Sequence, residues 1–169
     1  MAQTIADTDK TQQIIDELTV SYWTEIETVQ NYLANSTNLD GVRAVEIRES
    51  LGDDIQEELG HAQRLAQRIH TLGGMVPGSK KFKANQDTLQ PPADSTDVVA
   101  VIKGVIDAEE GAIAQYRKII ELTEGVDFGT QDMCIELMTD EQQHRREFVG
   151  FLAEYDKELA KKLERPDLG

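Results

Sequence analysis

The chain has 169 residues, with 17 Lys and Arg against 32 Asp and Glu and a formal charge of −15. That length suits one domain with a sizeable core, and that charge repels phosphate, so no nucleic-acid partner is expected. The single cysteine, Cys134, allows neither an intrachain disulfide nor a four-cysteine zinc site; no apolar run has the length of a membrane helix or the form of a secretory leader, and a cytoplasmic protein with no membrane partner is expected.

Residues 1–10 are polar and read as a frayed, flexible tail. A first helix is predicted over about 11–35, with apolar positions Ile14, Leu18, Tyr22, Val29 and Tyr32. The long gap between Tyr22 and Val29 has Glu25 at its proper step, so a glutamate occupies a core position. Asn38-Leu39-Asp40-Gly41 reads as a turn. A second helix over about 42–72 carries Leu51, Ile55, Glu58, Ala62, Leu65, Ile69 and Leu72, in alternating steps of four and three. That is the pattern of a bundle helix, again with a Glu where an apolar residue belongs. Gly73-Gly74 ends it as a C-cap.

Residues 75–95 hold three of the four prolines and a Lys-rich patch. They read as a long crossover loop with one short helical turn near 80–84. So long a connection inside one domain needs a reason. Joining the second and third of four helices along the whole bundle supplies it, and sets the two halves parallel. Ser95 or Thr96 is the expected cap of a third helix over about 97–123, with the stripe Val98, Ile102, Val105, Glu109, Ala112, Tyr116 and Ile119. After a turn at 125–129, a fourth helix is predicted over about 130–163, with Cys134, Leu137, Glu141, Phe148, Phe151, Tyr155 and Leu159. His144 falls at the missing step between Glu141 and Phe148. Pro166 stops the chain, and no fifth helix is expected. The fold class is all-α: a four-helix bundle with a long crossover between helices two and three.

The chemistry gathers at two copies of one motif, Glu58-Leu59-Gly60-His61 and Glu141-Gln142-Gln143-His144. Residues three apart on a helix share a face, so each pair aims a carboxylate and an imidazole at one place. Upstream of each pair a Glu precedes a Tyr by two turns: Glu25 with Tyr32, and Glu109 with Tyr116. Every member of the first set recurs 83 or 84 positions later, which suggests two copies of one helical hairpin. A lone Glu-x-x-His means little in an acidic helical protein. Four glutamates at core positions, one per helix and with no Arg or Lys in the stripes, mean more, because an uncompensated buried carboxylate costs several kcal/mol. Two divalent cations would balance the four carboxylates, and oxygen-rich ligation with one His per metal suits iron or manganese; zinc is a possible substitute. Glu25, Glu58, His61, Glu109, Glu141 and His144 are the candidate ligands and catalytic residues. Tyr32 and Tyr116 read either as core aromatics or as hydrogen-bond donors and electron sources beside the metals. His70 reads as a surface residue at a helix C-terminus, and Trp23 and Cys134 as packing. Glu57 and Glu110, one residue off the core line, read as solvated.

At these residues, over about 11–160, the chain resembles the ferritin-like superfamily, above all bacterioferritins and Dps-like proteins with a bacterioferritin-type site. The resemblance implies one ferritin-like domain over 1–169 and an intrasubunit di-iron ferroxidase centre of two iron ions per subunit. Glu58 and Glu141 would bridge the metals, with Glu25 and Glu109 terminal. Leu59 stands where bacterioferritins place a haem-ligating Met, so no haem is expected. The missing fifth helix favours a Dps-like dodecamer over a larger shell. The first helix has no His, so the usual interfacial Dps site is not expected, and Gly111 stands close to where some relatives carry a cysteine. The implied activity is Fe(II) oxidation by oxygen or hydrogen peroxide, with iron stored in a homo-oligomeric shell. One alternative is a non-storing di-iron or di-manganese peroxide-consuming enzyme; the chain has no Cys-rich electron-transfer domain, which argues against a rubrerythrin. Another alternative is a metal-free interaction bundle with its glutamates protonated or paired.

Overall fold

A computed structural model of the chain describes residues 5–164. It contains helices α1 (Ile5–Asn38), α2 (Val45–Thr71), α3 (Val98–Thr123), α4 (Phe128–Leu152) and α5 (Lys157–Leu163), with no strand among the described residues. The four long helices form the expected bundle. Short connections make α1–α2 and α3–α4 antiparallel hairpins. Side chains pair in reverse order across α1 and α3, Glu25 with Tyr116 and Tyr32 with Glu109. They do so again across α2 and α4, Arg68 with Thr130, Arg64 with Glu136 and Ser50 with Glu147. Both of these pairs are therefore antiparallel and α2 runs parallel to α3, so the two hairpins run opposite to each other and not parallel as expected: a connection that spans the whole bundle starts α3 at the end where α2 began.

Each boundary has a local cause. Gly73, at φ 85°, and Gly74 close α2: Gly73 N–H donates to His70 O and Gly74 N–H to Ile69 O, the paired pattern of a glycine C-cap. Helix α3 is capped by Asp97 rather than Ser95 or Thr96, its carboxylate accepting from Ala100 N–H at 3.0 Å. Asp127 caps α4 in the same way at Thr130, so α4 begins earlier than expected. Helix α1 begins at Ile5, not near Thr11, because residues 5–10 contain no Gly or Pro to stop it; the rest of the expected tail, 1–4, lies outside the described residues. A 3₁₀ turn, Val42–Ala44, leads into α2. The last expected helix divides in two. After Leu152 the chain turns, with Tyr155 N–H and Asp156 N–H on Leu152 O, and α5 follows. So a short fifth helix exists, packing Ala160 against the core. Pro166, read as the stop, lies outside the described residues, and the side chain of Leu159 is not described.

The crossover is anchored rather than loose. Buried Glu27 accepts from the backbone N–H groups of Asn85 and Gln86. Gln86 donates to Thr28 and accepts from Asn31, and Asn35 donates to Leu89 O. Two 3₁₀ turns lie along it: Ser79–Lys81, close to the expected place, and Asp87–Leu89, which was not expected. It runs so close to α3 that a Cβ on Gly104 would lie 2.4 Å from Thr88 O. Thr28 and Asn35 of α1 are consequently buried, while Tyr22 and Val29, expected in the core, are half-buried.

The apolar core has two parts. One gathers Leu51, Ile102, Val105, Phe148 and Leu152; the other gathers Leu18, Leu65, Ile69, Ile119, Cys134 and Leu137. Between them lies a polar layer at mid-bundle. No helix of the described residues is long and apolar enough to cross a membrane.

Candidate metal centre

The polar layer is built from the core glutamates, one from each long helix. Glu25, Glu58, Glu109 and Glu141 are each at most 2% exposed, His61 3% and His144 7%. Because α2 and α4 run antiparallel, each imidazole reaches the other helix's glutamate as well as its own. His61 Nδ1 stands 3.0 Å from Glu141 Oε1 and 3.6 Å from Glu58 Oε2. His144 Nδ1 stands 3.2 Å from Glu58 Oε1, 3.4 Å from Glu141 Oε2 and 3.9 Å from Glu109 Oε1. The donor atoms form two sets, Glu25-Glu58-His61-Glu141 and Glu58-Glu109-Glu141-His144, each within a 4.8 Å span. All six candidate ligands are brought together, and Glu58 and Glu141 belong to both sets.

The tyrosines complete the pseudo-twofold, but crosswise. Tyr32 on α1 donates its hydroxyl to Glu109 on α3, and Tyr116 on α3 donates to Glu25 on α1. Both are fully buried. Helical spacing places Tyr32 on the face of Glu25, yet it serves the glutamate of the other hairpin.

Burial and mutual interaction shift the titratable groups of the layer in opposite directions. Burial, then repulsion from Glu141 and Glu58, raises Glu25 and Glu109 well above the ordinary carboxylate range. Burial also pushes Glu58 up, but the adjacent imidazoles of His144 and His61 outweigh it and hold the group at about 2. Desolvation lowers both imidazoles, yet Glu141 and Glu58 raise His61 to about 10, and the same pair with Glu109 raises His144 to about 12. Both tyrosine hydroxyls are pushed above their usual value, first by burial and then by the adjacent carboxylates.

Hydrogen bonding within the protein does not satisfy this layer. Both oxygens of Glu58, Glu141 Oε2 and His144 Nδ1 are buried without a hydrogen-bond partner. Buried polar atoms are nearly always paired, and an orphaned one costs about 1–3 kcal/mol. These atoms lie in the two donor sets and face the space between the helices. Carboxylate oxygens with one imidazole nitrogen each suit borderline-hard divalent ions. The residues fit a pair of such cations.

Sequence reading missed an outer ring of acids. Asp140 Oδ2 lies 3.4 Å from His61 Nε2. Glu57 Oε2 lies 3.4 Å and Asp54 Oδ1 3.9 Å from His144 Nε2. Burial raises Asp54 to about 6, against the attraction of His144. Glu57 is exposed, as expected, but it faces the imidazole. A weak signal existed: Asp140 and Glu57 each precede a core glutamate, and Asp54 sits one turn before Glu58. Glu110 instead pairs with Arg145 at 2.7 Å. His70 is exposed in the last turn of α2. Cys134 is buried, and burial raises its thiol to about 12, which leaves it a packing residue. Trp23 packs between Tyr22 and Phe82 of the crossover.

Fold and layer together define a helical-bundle protein with a buried carboxylate–histidine constellation suited to two cations. The chain belongs to the ferritin family, whose ferritin-like domain matches residues 15–157. It is 24% identical over 145 residues to the DNA protection during starvation protein of Pyrococcus furiosus, covering 83% of this chain and 77% of that protein. Its fold is similar to that of the bacterioferritin-related protein from Bacteroides fragilis, a dodecameric thioferritin (TM-score 0.79, 23% identity, 92% of each chain). It is also similar to the Dps protein of Vibrio cholerae O1, described as one of the ferritin-like diiron-carboxylate proteins (TM-score 0.77, 20% identity, 90% of this chain and 98% of that one).

Proposed function

We propose that the chain is a ferroxidase that takes two Fe(II) ions as substrate at mid-bundle and oxidises them. The observation that carries this reading is the orphaned set of donors: Glu58, Glu141 and His144 are buried with atoms that nothing in the protein satisfies. Glu58 and Glu141, common to both donor sets, would serve both ions, with Glu25 and His61 completing one set and Glu109 and His144 the other. Tyr32 and Tyr116 donate to Oε1 of Glu109 and of Glu25 and hold those carboxyl groups in place. Each Fe(II) gives up one electron. Hydrogen peroxide takes the two electrons with two protons and leaves as two waters; dioxygen takes the same two electrons, also with two protons, and leaves as hydrogen peroxide. The protein fixes the geometry and supplies the charge. Leu59 offers no thioether to a haem.

Storage needs a shell. The Bacteroides fragilis relative is dodecameric, and a homo-dodecamer is the proposed assembly here. That rests on the relative alone, since α5 removes the argument from a missing fifth helix. The test is aerobic Fe(II) addition, first at two equivalents per chain and then in excess, followed by size exclusion with iron detection. Excess iron oxidised and eluting with a large particle supports storage. Oxidation that stops near two per chain with no mineral points to the non-storing peroxide-consuming enzyme.

One observation favours a different reading, a metal-free bundle. The layer offsets part of its own charge, Glu25 and Glu109 being raised toward their neutral forms beside two imidazoles raised toward their cationic forms. A chelator decides: melting indifferent to chelator and to added Fe(II) would establish the metal-free bundle, because a ligand of the folded state must stabilise it.

A further inference from the structure

We infer that the two cation positions of the layer are unequal, and that the one built from Glu109 and His144 fills before the one built from Glu25 and His61. The inference rests on the reading of the central layer as a two-cation site. It turns on Asp54 and Arg145, two positioning residues that the pseudo-twofold does not repeat.

The symmetry holds for the glutamates, imidazoles and tyrosines of the layer, and for one acid behind each ring. Glu57 and Asp140 stand at matched places before the two Glu-x-x-His motifs. Glu57 Oε2 lies 3.4 Å from His144 Nε2, and Asp140 Oδ2 lies 3.4 Å from His61 Nε2. The symmetry fails in three places, all on the side of His144. Asp54, one turn before Glu58, has as its counterpart Leu137, one turn before Glu141. Arg145, which follows His144, has Ala62. Glu110, which follows Glu109, has Ile26. Leu137 and Ala62 are buried and Ile26 is half-buried; none of the three side chains can donate, accept or carry charge.

Each break firms the Glu109–His144 set. An imidazole that binds a metal through one nitrogen is oriented through the other, and a carboxylate behind that N–H also makes the ring a better donor. His61 has one such carboxylate, with the side chain 33% exposed. His144 has two. The second, Asp54 Oδ1, lies 3.9 Å from Nε2, its side chain only 14% exposed and its Oδ2 buried without a hydrogen-bond partner. At that distance it acts by charge, and burial leaves little water to screen it. Arg145 acts on the helices. Its Nε and Nη2 donate to Glu110 Oε1 at 3.0 and 2.7 Å, and Nη2 donates also to Leu163 O at 3.0 Å. Helices α3, α4 and the end of α5 are thus tied together one residue from Glu109 and one from His144. Donors held in place beforehand lose less freedom when a cation arrives. The first cation takes the firm set together with Glu58 and Glu141, and the second is the one that orders Glu25 and His61.

The experiment grows crystals of the full chain anaerobically with one equivalent of Co(II) and reads the occupancy of each position by anomalous diffraction at the cobalt edge. It compares wild type, Asp54→Asn, Arg145→Gln and Glu121→Gln, the last removing an exposed charge elsewhere on α3. Wild type and Glu121→Gln are expected to carry at least about three-quarters of the cobalt on the His144 side, the split that a roughly tenfold difference in affinity gives. Asp54→Asn is expected to bring the split close to even, and Arg145→Gln to move it in the same direction. A loss of stability alone would empty both positions together and leave the split where it was. An even split in wild type, an excess on the His61 side, or a wild-type split kept by both Asp54→Asn and Arg145→Gln overturns the order and leaves the two-cation reading standing. A wild type with no cobalt at mid-bundle removes that reading, and the order with it.

Discussion

The two long seams of the bundle bring the same number of core glutamates to the layer and treat them oppositely. On the α1–α3 seam, Glu25 and Glu109 each accept a hydroxyl from a tyrosine on the facing helix, both donors fully buried. That seam is neutral and shut. On the α2–α4 seam, Glu58 and Glu141 meet imidazoles, retain orphaned atoms, and are backed by partly exposed acids. That seam is charged and incomplete. One seam fixes the geometry of the layer; the other leaves coordination free for something from outside.

The most severe way to break this contrast is to remove a glutamate shared by both donor sets. Glu141→Ala, and equally Glu58→Ala, is expected to bring rapid Fe(II) oxidation down by more than the roughly 10–100-fold that loss of an outer partner costs. Stopped-flow absorbance of ferric iron reads it. Full-rate oxidation in either variant would remove the site assignment.

The next test sets cations against protons. In the metal-free chain His61 and His144 are raised above the ordinary imidazole value of 6.5, to about 10 and 12. Their contribution to stability is complete below 6.5 and is lost as pH rises through those values. Glu25 and Glu109, also raised, add to this loss from 4.5 upward. Glu58 has the opposite sign: held at about 2, its contribution is complete above 4.5 and lost as pH falls toward 2. The chelated protein is therefore expected to melt at lower temperature at alkaline than at mildly acidic pH. Cations displace the same protons, so the gain from Co(II) or Zn(II) grows with pH. At a hundredfold excess over Kd that gain is roughly 5–10 °C per site. Calorimetry in buffers of differing ionisation enthalpy should register proton release on binding; a release of zero would contradict the charge state of the layer.

How much of this was legible depended on what each helix packs against. Helix α3 buries the expected stripe from Val98 through Ile119, because its apolar positions repeat without interruption. Helix α1 was misread at Tyr22 and Val29, because its inner face is polar where the crossover lies on it. Thr28 and Asn35 look like surface residues until Gln86 and Leu89 O arrive to satisfy them. The break after Leu152 hid behind Tyr155 and Leu159, which continue the spacing of α4 through a turn. Within the layer, the glutamates were legible because each replaces an apolar residue. The crosswise tyrosine bonds were not, since spacing along one helix says nothing about its neighbour. Asp140 and Asp54 were lost among the 32 acidic residues.

The closed seam is tested more gently. Tyr32→Phe and Tyr116→Phe each delete one hydroxyl and leave a buried carboxyl without its donor. The expected cost is about 1–3 kcal/mol each, read from denaturant midpoints of the chelated protein. Pseudo-twofold symmetry requires the two losses to agree within about 0.5 kcal/mol, close to the scatter of independent sites. Unequal losses would make the symmetry one of sequence only.

The smallest effect belongs to the rim of the open seam. Arg64 pairs with Glu136 across α2 and α4, but its side chain is 39% exposed and its partner's 61%. Water screens such a pair, and ordering two long side chains offsets most of the attraction, so Arg64→Ala should cost no more than about 1 kcal/mol. Arg68 differs one turn further along. It holds both Asp127 and Thr130, with its side chain 24% exposed and that of Asp127 14%. Since Asp127 is the cap of α4, Arg68→Ala loosens a helix end as well as an ion pair, and should cost more than Arg64→Ala. If the two variants melt together, the contact of Arg68 with the α4 cap adds nothing beyond a screened surface pair, and the open seam is held by its layer alone.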